Sequence, residues 1–152
     1  MAVVGGISLL LSPFPFIGFS QAKMLSPEGR CRAFDQNAKG YVRAEGGGVL
    51  ILKPLREAER DRDPILAVLK AVDINTDGRT QGIALPSSER QEELLRRIYR
   101  APGLSPADLV YFEAHGTGTS VGDPAETQAI GRAVSRQRPD GQPLPIGSAK
   151  SN

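Results

Sequence analysis

The order of apolar strand patterns and amphipathic helix patterns most constrains what this chain can fold into. Strand patterns open the chain and recur at 108–114 and 143–147, and two helical patterns begin near Ser88 and Asp123. Strands that alternate with helices of this length are typical of α/β folds. The 152 residues suffice for about one domain. We therefore expect a single α/β unit.

The apolar stretch 2–11 is predicted to form a buried strand. No basic residue precedes Lys23, and glycines and prolines interrupt the stretch. It therefore lacks the basic start of a signal peptide and the length of a membrane helix. We expect no membrane association.

Between this strand and residue 87 the pattern is less regular. A loop is expected to about residue 40, and a second strand within 41–55, interrupted by the three glycines at 46–48. The mixed charges of 56–63 indicate a solvated connection, and the apolar run 64–72 is assigned as a strand by its β-branched content.

The clearest helix begins at Ser88. A capping box of Ser88 with Gln91 is predicted, and Pro102 with Gly103 ends the helix. The expected ion pairs are Glu92–Arg96 and Glu93–Arg97, and the expected buried face is Leu94, Leu95, Ile98 and Tyr99.

Charge and cysteine content exclude several functional classes. The net charge of +2 comes from both signs mixed along the chain, so no nucleic-acid interface is expected. The single cysteine, Cys31, excludes an internal disulfide and favours a reducing, cytoplasmic setting. Without an activating motif around it, Cys31 is interpreted as a structural residue rather than a nucleophile.

Two ligand-binding patterns begin well and then fail. Asp73, Asn75 and Asp77 start a calcium loop, but Ala84 stands where a bidentate Glu is required, so a polar turn without metal is expected. The glycines after His115 are spaced G-x-G-x-x-x-G, and no acidic residue ends the next strand, so a dinucleotide site is not expected.

The stretch EAHGTGTSVGDPAE contains the chain's only histidine, His115. It follows a strand in an α/β fold, at the edge where sites gather, and Thr117 and Thr119 offer hydroxyl groups. A histidine satisfied within a turn is the alternative. Asp123 and Glu126 have the pattern of a helix cap, which is compatible with a further role beside a lysine.

FEAHGTGTSVGDPAE with PIGSAKSN downstream resembles the β-ketoacyl synthase domain of type I polyketide synthases. GRCRAFDQNAKGYVRAEGGGVLILKPL, INTDGRTQGIALPSSERQEELLRRIY and VVGGISLLLSP are also similar to consecutive stretches of that domain. MLSPEGRCRAFD is most similar to the fungal iterative enzymes. The resemblance implies a partial thiolase-like fold, with 1–86 ending the N-terminal half and 87–152 starting the C-terminal half.

The resemblance also implies decarboxylative Claisen condensation of an acyl thioester with malonyl, carried on the phosphopantetheine arm of an acyl carrier protein. In that reaction His115 would stabilise the enolate. Lys150 would orient the site with Glu126 as its carboxylate partner, while Thr117 and Thr119 would contact the carrier arm. The supporting residues expected are Glu126, Thr117, Thr119 and Asp123. No directly bound cofactor or metal is implied.

Two family residues have no counterpart in these 152 residues. The nucleophilic cysteine would precede the first strand and a second histidine would follow Asn152, and Cys31 does not align with the nucleophile. We expect a ketosynthase fragment that is inactive alone and belongs to a homodimeric enzyme. The alternative is a non-catalytic thiolase-like remnant that acts as an interaction or scaffolding module.

Overall fold

A computed structural model describes residues 1–80, 82 and 84–152. Four strands and four α-helices make up its regular structure, with short 3₁₀ turns at Pro106–Asp108, Ser135–Gln137 and Ala149–Ser151. The strands are β1 (Ala2–Ser8), β2 (Gly46–Leu52), β3 (Phe112–Glu113) and β4 (Ile146–Gly147). The helices are α1 (Phe14–Gln21), α2 (Leu55–Asp61), α3 (Ser88–Ile98) and α4 (Gly122–Ala133).

Strands β1 and β2 form an antiparallel two-stranded ribbon. Ala2 pairs with Leu52 at one end and Ser8 with Gly46 at the other. The glycines that were expected to interrupt the second strand instead form its first three residues. The prediction of burial for the opening strand was wrong for this chain, because every residue of β1 is exposed.

Helices α3 and α4 pack against each other and hold the main core. Its buried members are Ala114, Ile130, Ala133 and Val134, with Leu95, Tyr99 and Phe112 packed around them. In the sequence, Ala125, Ala129, Ile130, Ala133 and Val134 have the spacing of one apolar stripe on the second helix, and the last four are buried. A helix with such a stripe gains stability from packing rather than from its own hydrogen bonds.

The start of α3 differs from the prediction by one residue. Ser87 is the N-cap, and its hydroxyl accepts from the backbone N–H of Arg90, so a box of Ser88 with Gln91 does not form. The Glu92–Arg96 pair is confirmed. The Glu93–Arg97 pair was wrong: Glu93 pairs with Arg90 and Arg97 pairs with Asp73.

Three assignments between residues 12 and 72 were also wrong. The expected loop contains α1, which prolines at its start favour because proline fixes a helical φ there. The charged connection is exposed as expected apart from Ala58, but it forms the helix α2, with Glu57 in its first turn and Arg60 in its last. The run 64–72 has no regular structure, since no described strand lies beside it to accept its backbone hydrogen bonds.

The incomplete calcium loop is held by protein contacts. Asp73 accepts two hydrogen bonds from Arg97, the Asn75 amide donates to the Arg90 carbonyl, and Asp77 accepts from the Ser87 backbone. Residues 81 and 83 of this predicted turn lie outside the described residues. Within the described part of the chain, no three His, Cys, Asp or Glu side chains gather as a metal site would require.

Strands β3 and β4 are parallel and bring together the two chain segments that follow them. Phe112 pairs with Ile146 and Glu113 with Gly147, and the Ala114 N–H donates to the Gly147 carbonyl at 2.8 Å. Carboxyl ends of parallel strands meet at one sheet edge. The residues after β3 and β4, including His115 and Lys150, therefore lie side by side.

Of the helices in the described ranges, none combines the length and apolar character of a membrane span.

Candidate active site

The main chain of His115 is fixed by the carboxylate of Glu126. One oxygen accepts the His115 backbone N–H at 2.7 Å, and the other accepts the Gly116 N–H at 2.9 Å. Glu126 lies one turn into α4, so the helix places its carboxylate under the loop that follows β3. Two hydrogen bonds to an ionised acceptor are among the stronger interactions in proteins.

The carbonyl of the same residue is held from the other strand. The Lys150 ammonium donates to the His115 oxygen at 2.7 Å, and the Ser148 hydroxyl donates to it at 3.2 Å. The Ser148 oxygen also accepts the Lys150 backbone N–H and caps the final 3₁₀ turn. His115 is thus held at its N–H by a carboxylate and at its C=O by an ammonium.

The expected pairing of Lys150 with Glu126 is replaced by this arrangement. Within the described residues the two side chains form no ion pair, since both are engaged by the His115–Gly116 backbone. The His115–Gly116 backbone therefore lies between the two charged groups. Ser148 was not among the predicted site residues, although it is the serine of the Gly-Ser-x-Lys stretch on which the lysine was recognised.

One cavity of about 990 Å³ contains the side chains of this site. His115, Lys150, Thr117, Thr119 and Glu126 all line it. His115 and Lys150 therefore line the same cavity. Further lining is largely apolar and comes mainly from α3 and from the segments near residues 24, 42 and 85.

The two threonines of the loop face each other. Their hydroxyl oxygens lie 3.0 Å apart, and that of Thr119 also accepts the Gly122 N–H where α4 begins. A Cβ at Gly122 would lie 2.5 Å from the Thr119 hydroxyl, so this approach needs a glycine. Because each hydroxyl can donate or accept, the pair can rotate to suit a polar ligand in the cavity.

Asp123 is a buried carboxylate that ties the loop to a distant segment. It is 6% exposed, and its oxygens accept the Gly118 N–H at 3.1 Å and the Phe34 N–H at 2.7 Å. Phe34 has a φ of +62°, a conformation that a bulky residue adopts only when its surroundings impose it. The cap interpretation was wrong: Val121 is the N-cap of α4, with no side-chain cap bond.

Gly118 completes this junction between the loop and the 32–40 segment. Its φ is +69°, and a Cβ there would lie 3.0 Å from the Arg32 nitrogen. Its carbonyl accepts the Gly40 N–H at 2.8 Å. A side chain at position 118 would therefore separate the two segments.

Cys31 lies against the loop as a packed thiol. Its sulfur is 3.4 Å from the Thr117 carbonyl oxygen and 3.7 Å from that of Gly116. Partial burial, reinforced by the charge of Asp123, raises the pKa of the thiol, so the protonated form is favoured. This environment supports the structural interpretation of Cys31.

A histidine that follows β3 and a lysine in the 3₁₀ turn after β4 line one cavity. The family model described as the N-terminal domain of β-ketoacyl synthase matches residues 1–58, and that of the C-terminal domain matches residues 66–152. The chain belongs to the β-ketoacyl synthase family. The boundary of the halves at residue 86 stays a prediction.

Relatives include bacterial and fungal polyketide synthases. The chain is 49% identical over its whole length to a phenolphthiocerol/phthiocerol polyketide synthase of Mycobacterium tuberculosis, of which it covers 8%. It is 51% identical to highly reducing polyketide synthase 40 of Fusarium pseudograminearum, of which it covers 6%. These relatives are type I polyketide synthases, and their similar identities leave the fungal iterative assignment a prediction.

Solved ketosynthase structures share this fold. The ketosynthase from module 6 of the bacillaene synthase of Bacillus subtilis superposes with a TM-score of 0.94 at 45% identity, over 99% of this chain and 27% of that one. An oxazolomycin ketosynthase domain from Streptomyces albus gives 0.92 at 41% identity, over 26% of its length. The chain therefore has part of a thiolase-like ketosynthase fold, about a quarter of the domain.

Proposed function

We propose that this chain supplies the enolate-stabilising part of a ketosynthase site, for decarboxylative Claisen condensation of an acyl thioester with a malonyl thioester. The observation that carries the proposal is the placement of His115 and Lys150 on one cavity, with the His115 backbone fixed at both its N–H and its C=O. Fixed donors aimed at developing charge are the main source of catalysis in such sites.

The chemistry follows from these two groups. When the bond from the malonyl α-carbon to its carboxylate breaks, CO₂ leaves and the electron pair moves onto the thioester oxygen as an enolate. An N–H of the His115 imidazole stabilises that oxygen, and the Lys150 ammonium adds positive potential beside it. The enolate carbon then attacks the carbonyl of the acyl thioester, a carbon–carbon bond forms, the carbonyl–sulfur bond breaks, and the thiolate that carried the acyl group leaves.

The malonyl group and the acyl chain would arrive on the phosphopantetheine arm of an acyl carrier protein. Thr117 and Thr119 support this assignment because they line the same cavity and have hydroxyl groups able to bind an amide or carbonyl. The complete enzyme would act as a homodimer in polyketide or fatty acid biosynthesis. It would bind no cofactor directly and would work in the cytoplasm.

On its own the 152-residue chain is not expected to condense. Condensation through an acyl-enzyme needs an activated thiol, and the only thiol here, Cys31, is packed on backbone carbonyls with a raised pKa. Incubation with an acyl thioester should leave the intact mass unchanged. Acylation of Cys31 followed by condensation would contradict this expectation.

The proposal is tested in a chimera. The matching stretch of the module 6 bacillaene ketosynthase is replaced by this chain, and malonyl thioester decarboxylation is measured. His115→Ala should lower the rate by about 100- to 1000-fold, the cost of removing one oxyanion donor. Gln128→Ala, on the exposed side of α4, is the matched control.

Two results decide between an enzyme and a scaffold. A folded chimera in which the His115→Ala variant decarboxylates as fast as its parent would remove His115 from the reaction. A folded chimera without any activity would favour the non-catalytic, scaffolding interpretation of this sequence.

A further inference from the structure

The turn that carries Lys150 is held by a second carboxylate, that of Glu113. Glu113 ends β3 and pairs with Gly147 of β4, so it lies beside the chain that leaves β4. One of its carboxylate oxygens accepts the Ala149 backbone N–H at 2.7 Å. Ala149 begins the 3₁₀ turn, and the first N–H groups of a helical turn lack partners within it. The carboxylate therefore satisfies a donor at the start of this turn.

Tyr111 orients the other oxygen of the same carboxylate. Its hydroxyl donates to Glu113 at 3.2 Å. A Cβ at Gly147 would collide with this hydroxyl, so the approach needs a glycine in β4. Desolvation and the Glu113 carboxylate raise the pKa of the Tyr111 phenol, so it remains a donor across the neutral range. Although Glu113 is exposed, each of its oxygens thus has a defined contact.

The two carboxylates beside the cavity have matching roles on neighbouring loops. Glu126 holds the N–H groups of His115 and Gly116. Glu113 holds the N–H of Ala149. Hydrogen bonds from backbone N–H groups to ionised acceptors are stronger than those between neutral groups. The histidine and the lysine therefore both stand on main chain that a carboxylate holds.

We propose that Glu113 is a positioning residue for Lys150, because it fixes the turn from which the ammonium reaches the His115 carbonyl. The ammonium lies 2.7 Å from that oxygen, so a shift of the turn would weaken the contact. The kinetic consequence rests on the proposed function, in which the ammonium adds positive potential beside the enolate. Since that charge develops only as CO₂ leaves, loss of Glu113 should lower kcat and leave KM nearly unchanged.

The test measures malonyl thioester decarboxylation in the bacillaene chimera. Glu113→Ala removes both contacts and should lower kcat by about 3- to 10-fold, the worth of one ordinary hydrogen bond. Glu113→Gln should stay within about twofold of the parent, because its amide oxygen can accept from Ala149 while its NH₂ donates to the Tyr111 oxygen. Glu59→Ala removes an exposed carboxylate on α2 and is the matched control.

Two further measurements separate positioning from general support of the fold. If Glu113 acts through Lys150, Glu113→Ala should add less than about twofold to the loss caused by Lys150→Met. Amide exchange at Ala149 in the same chimera should speed up about threefold or more in Glu113→Ala and stay near the parent's rate in Glu113→Gln. Because Glu113 is exposed, circular dichroism should be the same for both variants and the parent.

Four results would overturn the proposal. They are unchanged exchange at Ala149, an unchanged kcat for Glu113→Ala where Lys150→Met is slow, equal losses in the Ala and Gln variants, and full additivity with Lys150→Met. Failure of the proposed function would be seen differently, since His115→Ala and Lys150→Met would then decarboxylate like the parent. Exchange at Ala149 would still decide whether Glu113 holds the turn.

Discussion

The ammonium of Lys150 lies 2.7 Å from the carbonyl oxygen of His115, on a cavity that both residues line. The lysine therefore donates its hydrogen bond to the backbone of the histidine. A charged donor on that carbonyl fixes the residue that delivers the imidazole and adds positive potential where an enolate would form.

Replacement of Lys150 should therefore disturb the position of His115 and lower the positive potential beside it. In the bacillaene chimera, Lys150→Met is expected to lower malonyl decarboxylation by about 10- to 100-fold, the worth of a hydrogen bond to a charged group. Lys150→Arg keeps the charge and should recover part of the rate. Equal rates for the Met variant and the parent would show that the contact has no catalytic consequence.

Glu126→Gln should loosen the loop after β3. A carboxamide has one acceptor oxygen where the carboxylate uses two, so one of the His115 and Gly116 N–H groups loses its partner. Amide exchange at these two residues should speed up by about tenfold or more. The exposed Gln128→Ala variant provides the baseline. Unchanged exchange at position 116 would contradict the role of Glu126 in holding the two backbone N–H groups.

Asp123→Asn should weaken the contact between the loop after β3 and the 32–40 segment. Its two oxygens accept from Gly118 and Phe34, and an amide cannot accept both bonds. We expect the loss of about 2 kcal/mol of local stability, seen as faster exchange at both amides. Asp140→Asn, at an exposed turn, should leave them unchanged. Unchanged or slower exchange at Phe34 would contradict the stabilising role of Asp123.

Cys31 should become a thiolate only at unusually high pH. Burial raises its pKa in the fold, so the stability that the thiol contributes is present below the ordinary thiol pKa and is lost as pH rises through the folded value. The pH midpoint of iodoacetamide alkylation should therefore fall when the chain is unfolded in urea. A higher midpoint in urea would show that the native site favours the thiolate.

The Asp73–Arg97 pair should release the segment before α3 in acid. The two hydrogen bonds from Arg97 hold the pKa of the Asp73 carboxyl below its ordinary value. The contact is therefore intact above that ordinary value and is lost as pH falls toward the lowered one. Carboxyl NMR of Asp73 should show the low midpoint, and Arg97→Gln should raise it toward the ordinary value, although the Ile74 N–H still donates to the carboxylate.

Local sequence patterns were sufficient to predict features that depend on one helix alone. The stripe on α4 has helical spacing, so its burial followed from the sequence, and the ion pair of Glu92 with Arg96 needs only one turn of helix. The loop after β3 and the stretch that contains Lys150 were recognised by their resemblance to a known family. Prediction failed for 64–72, since a strand exists only where another strand accepts its hydrogen bonds.

The sequence by itself determined the α/β class and the buried face of α4, because spacing is a property of a short stretch of chain, and the proposed site residues came from the resemblance to a known family. Only the tertiary structure decided that Glu126 and Lys150 meet through the backbone of His115 instead of touching each other, and that Asp123 reaches Phe34. Those contacts join residues up to 89 positions apart. Their geometry depends on how β3, β4 and α4 pack, which no local pattern encodes.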